Sequence, residues 1–563
     1  MNKRAGITDT PRFVQNQAGG AIIKNRTFFF GLVEANRRRE ARDARNASAI
    51  TIPTPAGLAA LRSVPLGPGQ TPESRQSVLN SIGFFPDVQA QIPRFDGLRD
   101  VNVNGVPVEV GTARIPLANP HNFWTVTGRV DHQLTPGNRI NYRLLVDDRS
   151  QPNVASNLGF GERFAGNQDI LGQNHAWSWT ATPKPNFVNE FRFAYSRRNL
   201  DFPENDPNSP TTNVTGFFTL GGAANFPQGR FQQNFQFQNV STWVLGRHSL
   251  KFGADIRRLK LFNRSDFDSK GTFTFPTLAD FVNNNPLTIT QALNTASFDA
   301  RQWQTFFFVQ DDFKVTRDLT LNIGFRYEYN DIPFGFFGAE DPAVRAVGVP
   351  GPVRTDRNNV APRGGLAWSP RFQDGTWLGR LFGDGMTVFR GGYGMSYDVL
   401  FFNILTVNGS NFPRVVVSQI NRPDTVNVFP QVATRATTPT LNPLALFVNS
   451  PEDLQNPTTH FYSFSIQRQF SKNYIFEAGY NGSRSYHQIR QGQTNPGTLT
   501  ADQAALVRET GNPNAIPGLQ ARRVNLAIGS RITIESTAVA DYNALFLKFD
   551  KRFANNFLVG AIY

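Results

Sequence analysis

Apolar and polar residues alternate along this chain in short paired runs, and the connections between runs switch between very short and very long. In Trp124–Val130, Trp124, Val126 and Val130 share one face, while Thr125, Thr127 and Arg129 share the other. In Ile140–Val146, Ile140, Tyr142, Leu144 and Val146 oppose Asn141 and Arg143. Successive strand side chains point to opposite faces, so each run is predicted as an amphipathic strand. Between them lies Thr135-Pro136-Gly137-Asn138, in which Pro presets φ and Gly or Asn tolerates positive φ. The two runs therefore form a hairpin.

The unit recurs. Trp177 and Trp179 lead through Pro183-Lys184-Pro185 to Phe191, Phe193 and Tyr195, and Trp243 leads through Leu245-Gly246-Arg247 to Leu250, Phe252, Ala254 and Ile256. Phe313 leads through Val315-Thr316-Arg317-Asp318 to Leu319, Leu321, Ile323, Phe325 and Tyr327, and Tyr462, Phe464 and Ile466 lead through Ser471-Lys472-Asn473 to Tyr474, Phe476 and Tyr480. Counting such runs predicts roughly sixteen strands of about ten residues, close to what a tilted strand needs to cross a bilayer. The spans are 15–22, 27–36, 122–133, 138–149, 173–182, 186–198, 231–244, 247–260, 300–314, 318–330, 359–370, 385–398, 458–470, 474–485, 538–552 and 555–563. Long stretches rich in Gly, Pro and Asn separate the hairpins: 37–121, 199–230, 261–299, 331–358, 399–457 and 486–537. A mildly helical patch near Pro55–Val64 reads as part of a loop excursion. The turn between Pro370 and Gly385 is too long for a tight hairpin and must fold into something larger. Short turn, long loop, short turn is the pattern of an all-β transmembrane antiparallel barrel with short periplasmic turns and long extracellular loops.

Composition changes the picture in three places. There are 51 Phe against 3 Met, and aromatics make up 12% of the chain, which suits interfacial girdles. No segment approaches the ~20 consecutive apolar residues of a membrane helix, which says nothing about strands that cross. No Cys is present, which excludes disulfides, thiolate metal sites and Cys nucleophiles. The net charge of +14 would suggest nucleic acid in a soluble protein, but apart from Arg37-Arg38-Arg39 the basic residues are dispersed, so no nucleic-acid partner is expected.

Candidate chemistry is sparse. The six His stand singly, and Asp147-Asp148 and Asp311-Asp312 are neighbours whose side chains would diverge in a strand. No catalytic set, metal site or cofactor is expected, and the reading is not an enzyme. Gly391, Gly392 and Gly394 sit in a strand pattern and read as a bend or a close backbone approach. The informative set is the charge on the predicted lumen faces: Arg129, Arg143, Arg192, Asp255, Arg257, Arg326 and Glu328. They could touch a plug, touch a passing solute, or form ion pairs within the wall.

Six stretches resemble the barrel of TonB-dependent outer-membrane receptors of the Oar-like subgroup. They are GGAIIKNRTFFFG at Gly19–Gly31, GRHSLKFGADIRR at Gly246–Arg258, FFFVQDDFKVTRDLTLNIGFRYE at Phe306–Glu328, NNVAPRGGLAWSP at Asn358–Pro370 with FRGGYGMSYD at Phe389–Asp398, SFSIQRQF with IFEAGYNGSR across Ser463–Arg484, and YNALFLKFDKRF at Tyr542–Phe553. The resemblance implies a barrel of about 22 strands around a plugged lumen. Residues 1–563 then read as one barrel fragment, lacking a signal peptide, a carboxypeptidase-regulatory-like domain, a plug and some six C-terminal strands. It further implies uptake of a large scarce solute, with outer-membrane lipid and the TonB–ExbB–ExbD complex as partners. A surface protein acting in adhesion or protein export, or a soluble multi-sheet array, are the competing readings. Heat-modifiable migration in detergent gels separates the last: the barrel should run anomalously fast before boiling, and unchanged mobility would contradict it.

Overall fold

The computed structural model describes residues 12–563 except 39–40, 43–48, 93, 116, 295–296, 333–350, 352, 374, 401, 410–414, 423, 432–446, 511–521, 527–528 and 555. The main sheet has seventeen strands. Sixteen follow one another as an antiparallel meander: β1 (Arg12–Ile23), β2 (Thr27–Arg38), β3 (His121–Thr135), β4 (Asn138–Ser156), β5 (Ala165–Lys184), β6 (Phe187–Phe202), β7 (Gln228–Leu245), β8 (His248–Ser265), β9 (Phe298–Lys314), β10 (Leu319–Asn330), β11 (Val360–Trp368), β12 (Thr387–Tyr397), β13 (Thr458–Ser471), β14 (Tyr474–Gln493), β15 (Arg531–Ala554) and β16 (Phe557–Ile562). The seventeenth, Phe447–Asn449, lies parallel to the start of β15. All sixteen predicted runs are strands. Among the described residues, β1 pairs only with β2 and β16 only with β15.

Several strands are longer than predicted. β5 has 20 residues and β15 has 24, where about ten suffice to cross the hydrocarbon. The surplus lies on the long-loop side, where β4 and β5 leave a connection of only 157–164. On the opposite side the turns are tight: Thr135 faces Asn138 across Pro136-Gly137, and Gly246 adopts φ +57° between β7 and β8.

The two faces behave as alternation requires. Outward lie Trp177, Trp179, Phe237, Trp243, Ile323 and Phe325, all 40–58% exposed, with no second layer of protein over them. They contact one another along the surface: Tyr142–Trp177–Phe193–Phe237 is a ladder across four strands with ring centroids 5.0, 5.3 and 4.9 Å apart. Leaving such a surface in water would be costly at about 25 cal/mol per Å²; facing lipid it is not.

The segments expected to be loops hold the only extensive hydrophobic core among the described residues. Ile50–Pro53, Asp96–Val103 and Val106–Ala113 form a three-stranded sheet, and Phe218–Leu220, Thr211–Val214, Thr272–Phe275, Thr288–Ala292 and Val417–Asn421 form a five-stranded one. Helices Pro55–Ser63, Pro72–Ser81, Phe85–Gln89 and Leu278–Val282 pack between them. Ile52, Phe85, Val108, Phe273, Phe275 and Phe281 are fully buried here, and Phe160, Phe164 and Phe429 join them from two connections, those after β4 and β12. The patch at Pro55–Val64 is thus a helix in a packed cap rather than part of a loop excursion. Two Thr-Pro pairs start its helices: Thr54 and Thr71 accept from the N–H of Gly57 and Ser74, with Pro at the first helical position.

Buried polar groups stitch the cap to the barrel. Glu204 is wholly enclosed; it accepts from Lys270 Nζ at 2.6 Å and from Ser156 Oγ, at the end of β4, at 2.7 Å. A Cβ at Gly222 would fall 1.7 Å from Glu204 Oε1, so only glycine fits there. Arg75 donates to the carbonyls of Val64, Pro65 and Val282, and Asn284 exchanges two hydrogen bonds with the backbone of Phe429. Lys270→Met should leave an uncompensated buried carboxylate and cost the cap about 3–5 kcal/mol. Hydrogen exchange of cap amides would report it as loss of protection there with the barrel amides unchanged.

Candidate functional site in the barrel lumen

The seven charges singled out from the sequence all lie on the inward face, and strand register places them in two adjoining rows. One row runs Arg129, Arg143, Ala176, Ala194, Gln236, Arg257, Gln304 across β3 to β9. The next runs Arg192, Gln238, Asp255, Phe306, Glu328 across β6 to β10. Arg326 lies two residues from Glu328 and so on the same face.

Ion pairing is local. Arg129 Nε lies 2.6 Å from Asp131, which also takes Arg139 at 2.7 Å. Arg192 pairs with Glu190 at 2.7 Å, Arg257 with Asp255 at 2.8 Å, and Arg326 with Glu328 at 2.8 Å. Each pair joins residues i and i+2 of one strand or its hairpin neighbour, which share the inward face. Asp255 also accepts two hydrogen bonds from Gln236. The ring of Phe306 sits between Arg257 and Arg326, with guanidinium carbons 5.3 and 5.2 Å from its centroid.

Two hollows open onto this wall. Arg129, Arg143, Glu190 and Arg192 line one of about 470 Å³. Asp255, Arg257 and Arg326 line a second of about 330 Å³, with Lys251, Phe306, Phe308 and Arg363. Gln238 borders both. Arg143 and Lys251 form no ion pair among the described residues, whereas Arg363 adds its charge to the surroundings of Glu328, so the hollows carry cationic charge beyond what the wall neutralises.

Glu328 departs from the expectation of a group open to the pore. It lies on the inward face but is 1% exposed. Its own N–H donates to the carbonyl of Asn359, in the connection after β10. Its neighbours Gln304, Asn330 and Asn359 are buried with it.

Lys251, Arg363, Phe306 and Phe308 were not singled out from the sequence, although the polar face of β8 already contained Lys251 beside Asp255 and Arg257. Phe306 and Phe308 run against simple patterning, since they place aromatic rings on the inward side. The glycines of β12 are not forced by crowding. A Cβ at Gly391 or Gly392 would make ordinary contacts at 3.5 Å or more, and neither adopts positive φ. With Gly324 and Gly365 on neighbouring strands, Gly392 and Gly394 leave the inward surface smooth.

The adjacent carboxylates diverge as strand alternation dictates. Asp147 bonds Arg149 and Thr125 inside, whereas Asp148 accepts from Trp124 Nε1 at 3.0 Å outside. His132, His175, His248 and His460 are each engaged by a separate side chain, Thr27, Tyr142, Asp311 and Tyr393. Among the described residues no group of three or more His, Asp or Glu is placed to hold a metal ion.

Exposure decides what each pair contributes. Arg257 and Asp255 are 37% and 14% exposed, so water screens them and Arg257→Ala should cost under about 1 kcal/mol. Arg326→Ala leaves Glu328 buried without its close counter-ion and should cost about 3–5 kcal/mol. Unfolding in urea, compared between the two variants, checks that order; equal losses would contradict the burial argument.

The sequence profile of a family described as outer membrane beta barrel domain matches residues 2–563. Among solved structures, the chain is similar to the outer membrane transporter YddB from Escherichia coli, with TM-score 0.55 and 11% identity over 96% of this chain and 52% of that one. It also aligns with the siderophore receptor PirA from Acinetobacter baumannii at TM-score 0.48 and 10% identity, over 97% and 58% of the two chains. The ferripyoverdine receptor of the outer membrane of Pseudomonas aeruginosa aligns at TM-score 0.47 and 9% identity, over 98% and 53%. The chain spans little more than half the length of these proteins, and no curated protein sequence matches it. With an apolar outer face, a charged inner face and a match over nearly its whole length, the chain belongs to the outer membrane β-barrel domain family, whose members are membrane barrels rather than enzymes.

Proposed function

We propose that this chain is the barrel portion of a TonB-dependent receptor of the Oar-like kind, in which a large scarce solute is met at the cap and passed along the lumen when TonB, with ExbB and ExbD, pulls on a plug. The observation that carries the reading is the pair of cationic hollows in the lumen wall. Arg143 and Lys251 face the interior without an ion-pair partner among the described residues, so an acidic surface inside the barrel would complete them. Gly324 and Gly394 flank Arg363 in register and Gly365 faces Gly392, so a second backbone can come close on either side of that arginine. Arg129, Arg192, Asp255, Arg257, Arg326 and Glu328 are then wall residues that hold this surface in shape. Among the described residues the outer edges of β1 and β16 have no partner strand, and there further strands would close the ring, since open edges are not viable in lipid.

A second reading is favoured by the cap. Its connections share one core, so it presents a built surface of the kind an adhesion or protein-export barrel would use. Sequencing the genomic DNA preceding the codon for Met1 separates the two. A TonB box and plug in frame are expected; their absence from the gene would overturn energised transport and leave the surface role.

A further inference from the structure

The long turn between β11 and β12 folds into a short helix, Trp377–Phe382, on the side of the barrel opposite the cap. Thr376 caps its start by accepting from Gly379 N–H at 3.0 Å, and Gly383 ends it at φ +71°. The helix is fastened to the outside of the wall. Phe382 meets Phe389 edge-on at 5.5 Å, and Phe389 stacks on Trp368 at 5.6 Å. Both partners belong to the outward row of β11 and β12 that continues into Ile466 of β13. Arg468, in that same outward row, donates to the helix's terminal carbonyls of Arg380 and Leu381 and to Thr387 Oγ1, which suits the negative end of the helix dipole.

This attachment leaves Trp377 and Leu381 on the free side. They are one turn apart and 72% and 53% exposed. Arg380 on the helix and Arg317 and Lys472 on other short turns of the same side are exposed, and among the described residues of this turn the exposed carboxylate is Asp384. Arg371 is already paired with Asp318 at 2.7 Å, which ties this turn to the one after β9.

We propose that Trp377–Phe382 is an interfacial anchor: Trp377 and Leu381 enter the periplasmic leaflet while Arg380 and Lys472 meet anionic phospholipid headgroups. Two features commit the occupant to lipid. The helix continues the aromatic surface that already faces lipid, and its free rim is basic, where an anionic leaflet gives attraction. A Trp at this level also suits the ring's preference for the boundary between hydrocarbon and water.

The chain contains no Cys, so one introduced thiol is labelled uniquely. Leu381→Cys carrying a nitroxide is placed in vesicles of phosphatidylethanolamine with phosphatidylglycerol, and its accessibility to oxygen and to a water-soluble nickel chelate is compared. Glu73→Cys, exposed on the cap, serves as the aqueous reference. The Leu381 label should favour oxygen and the Glu73 label the nickel chelate; equal nickel accessibility at both would overturn the anchor. Adding Arg380→Gln should shift the Leu381 label towards water in these vesicles and leave it unmoved in phosphatidylcholine. The same shift in both lipids, or in neither, would overturn the headgroup assignment. Heat-modifiable migration of each variant confirms that the barrel is folded when the label is read.

Discussion

A peptide backbone in hydrocarbon has no water to bond, so each N–H and C=O within the bilayer must find its partner in a neighbouring strand. The rest of this protein follows from that constraint. A meander satisfies it with the shortest connections, and a sheet one strand thick must show one face to lipid and the other to the pore. Phe, Trp, Ile and Leu therefore collect outside without any protein layer above them, and Arg, Asp, Glu, Gln and Asn collect inside. The absence of a conventional core from the wall is a consequence of its solvent.

The hydrophobic core is displaced to the cap. There the surroundings are water again, and the usual rule returns: Phe85, Phe273, Phe275 and Phe281 bury themselves together, and polar groups are tolerated only when paired, as Glu204 is by Lys270 and Ser156. The overlong strands link the two regimes. β4, β5 and β15 carry their ladders beyond the depth that the membrane needs, and the cap is joined to the ends of β4 and β5 through Ser156 and Ala165. A second, smaller apolar cluster joins Leu261, Phe298 and Ile534, at the long-loop ends of β8, β9 and β15, to Ile332, Leu400 and Val448 of the connections after β10 and β12.

The wall was legible in the sequence because its signal is local: period-two alternation and turn residues such as Pro136-Gly137 and Gly246 lie within a few residues of the strands they join. The inward placement of Arg129, Arg192 and Arg257 followed from the same period. The cap was not legible, because Ile52, Phe164, Phe218, Phe273 and Phe429 come from five separate connections and no periodicity relates them. Only its helix starts left a local trace, in Thr54-Pro55 and Thr71-Pro72. Glu328 illustrates the intermediate case: its face could be read from β10, but its burial, beside the buried Gln304 of β9 and Asn359 of the following connection, could not.

The central claim is that one side of every strand touches lipid and the other water. A single-cysteine scan from Glu190 to Ser196 of β6, in the membrane-embedded protein, tests it most directly with a charged, membrane-impermeant thiol reagent. Positions 190, 192, 194 and 196 should react while 191, 193 and 195 are protected. Uniform reactivity along the strand, or protection of the even positions instead, would contradict the account.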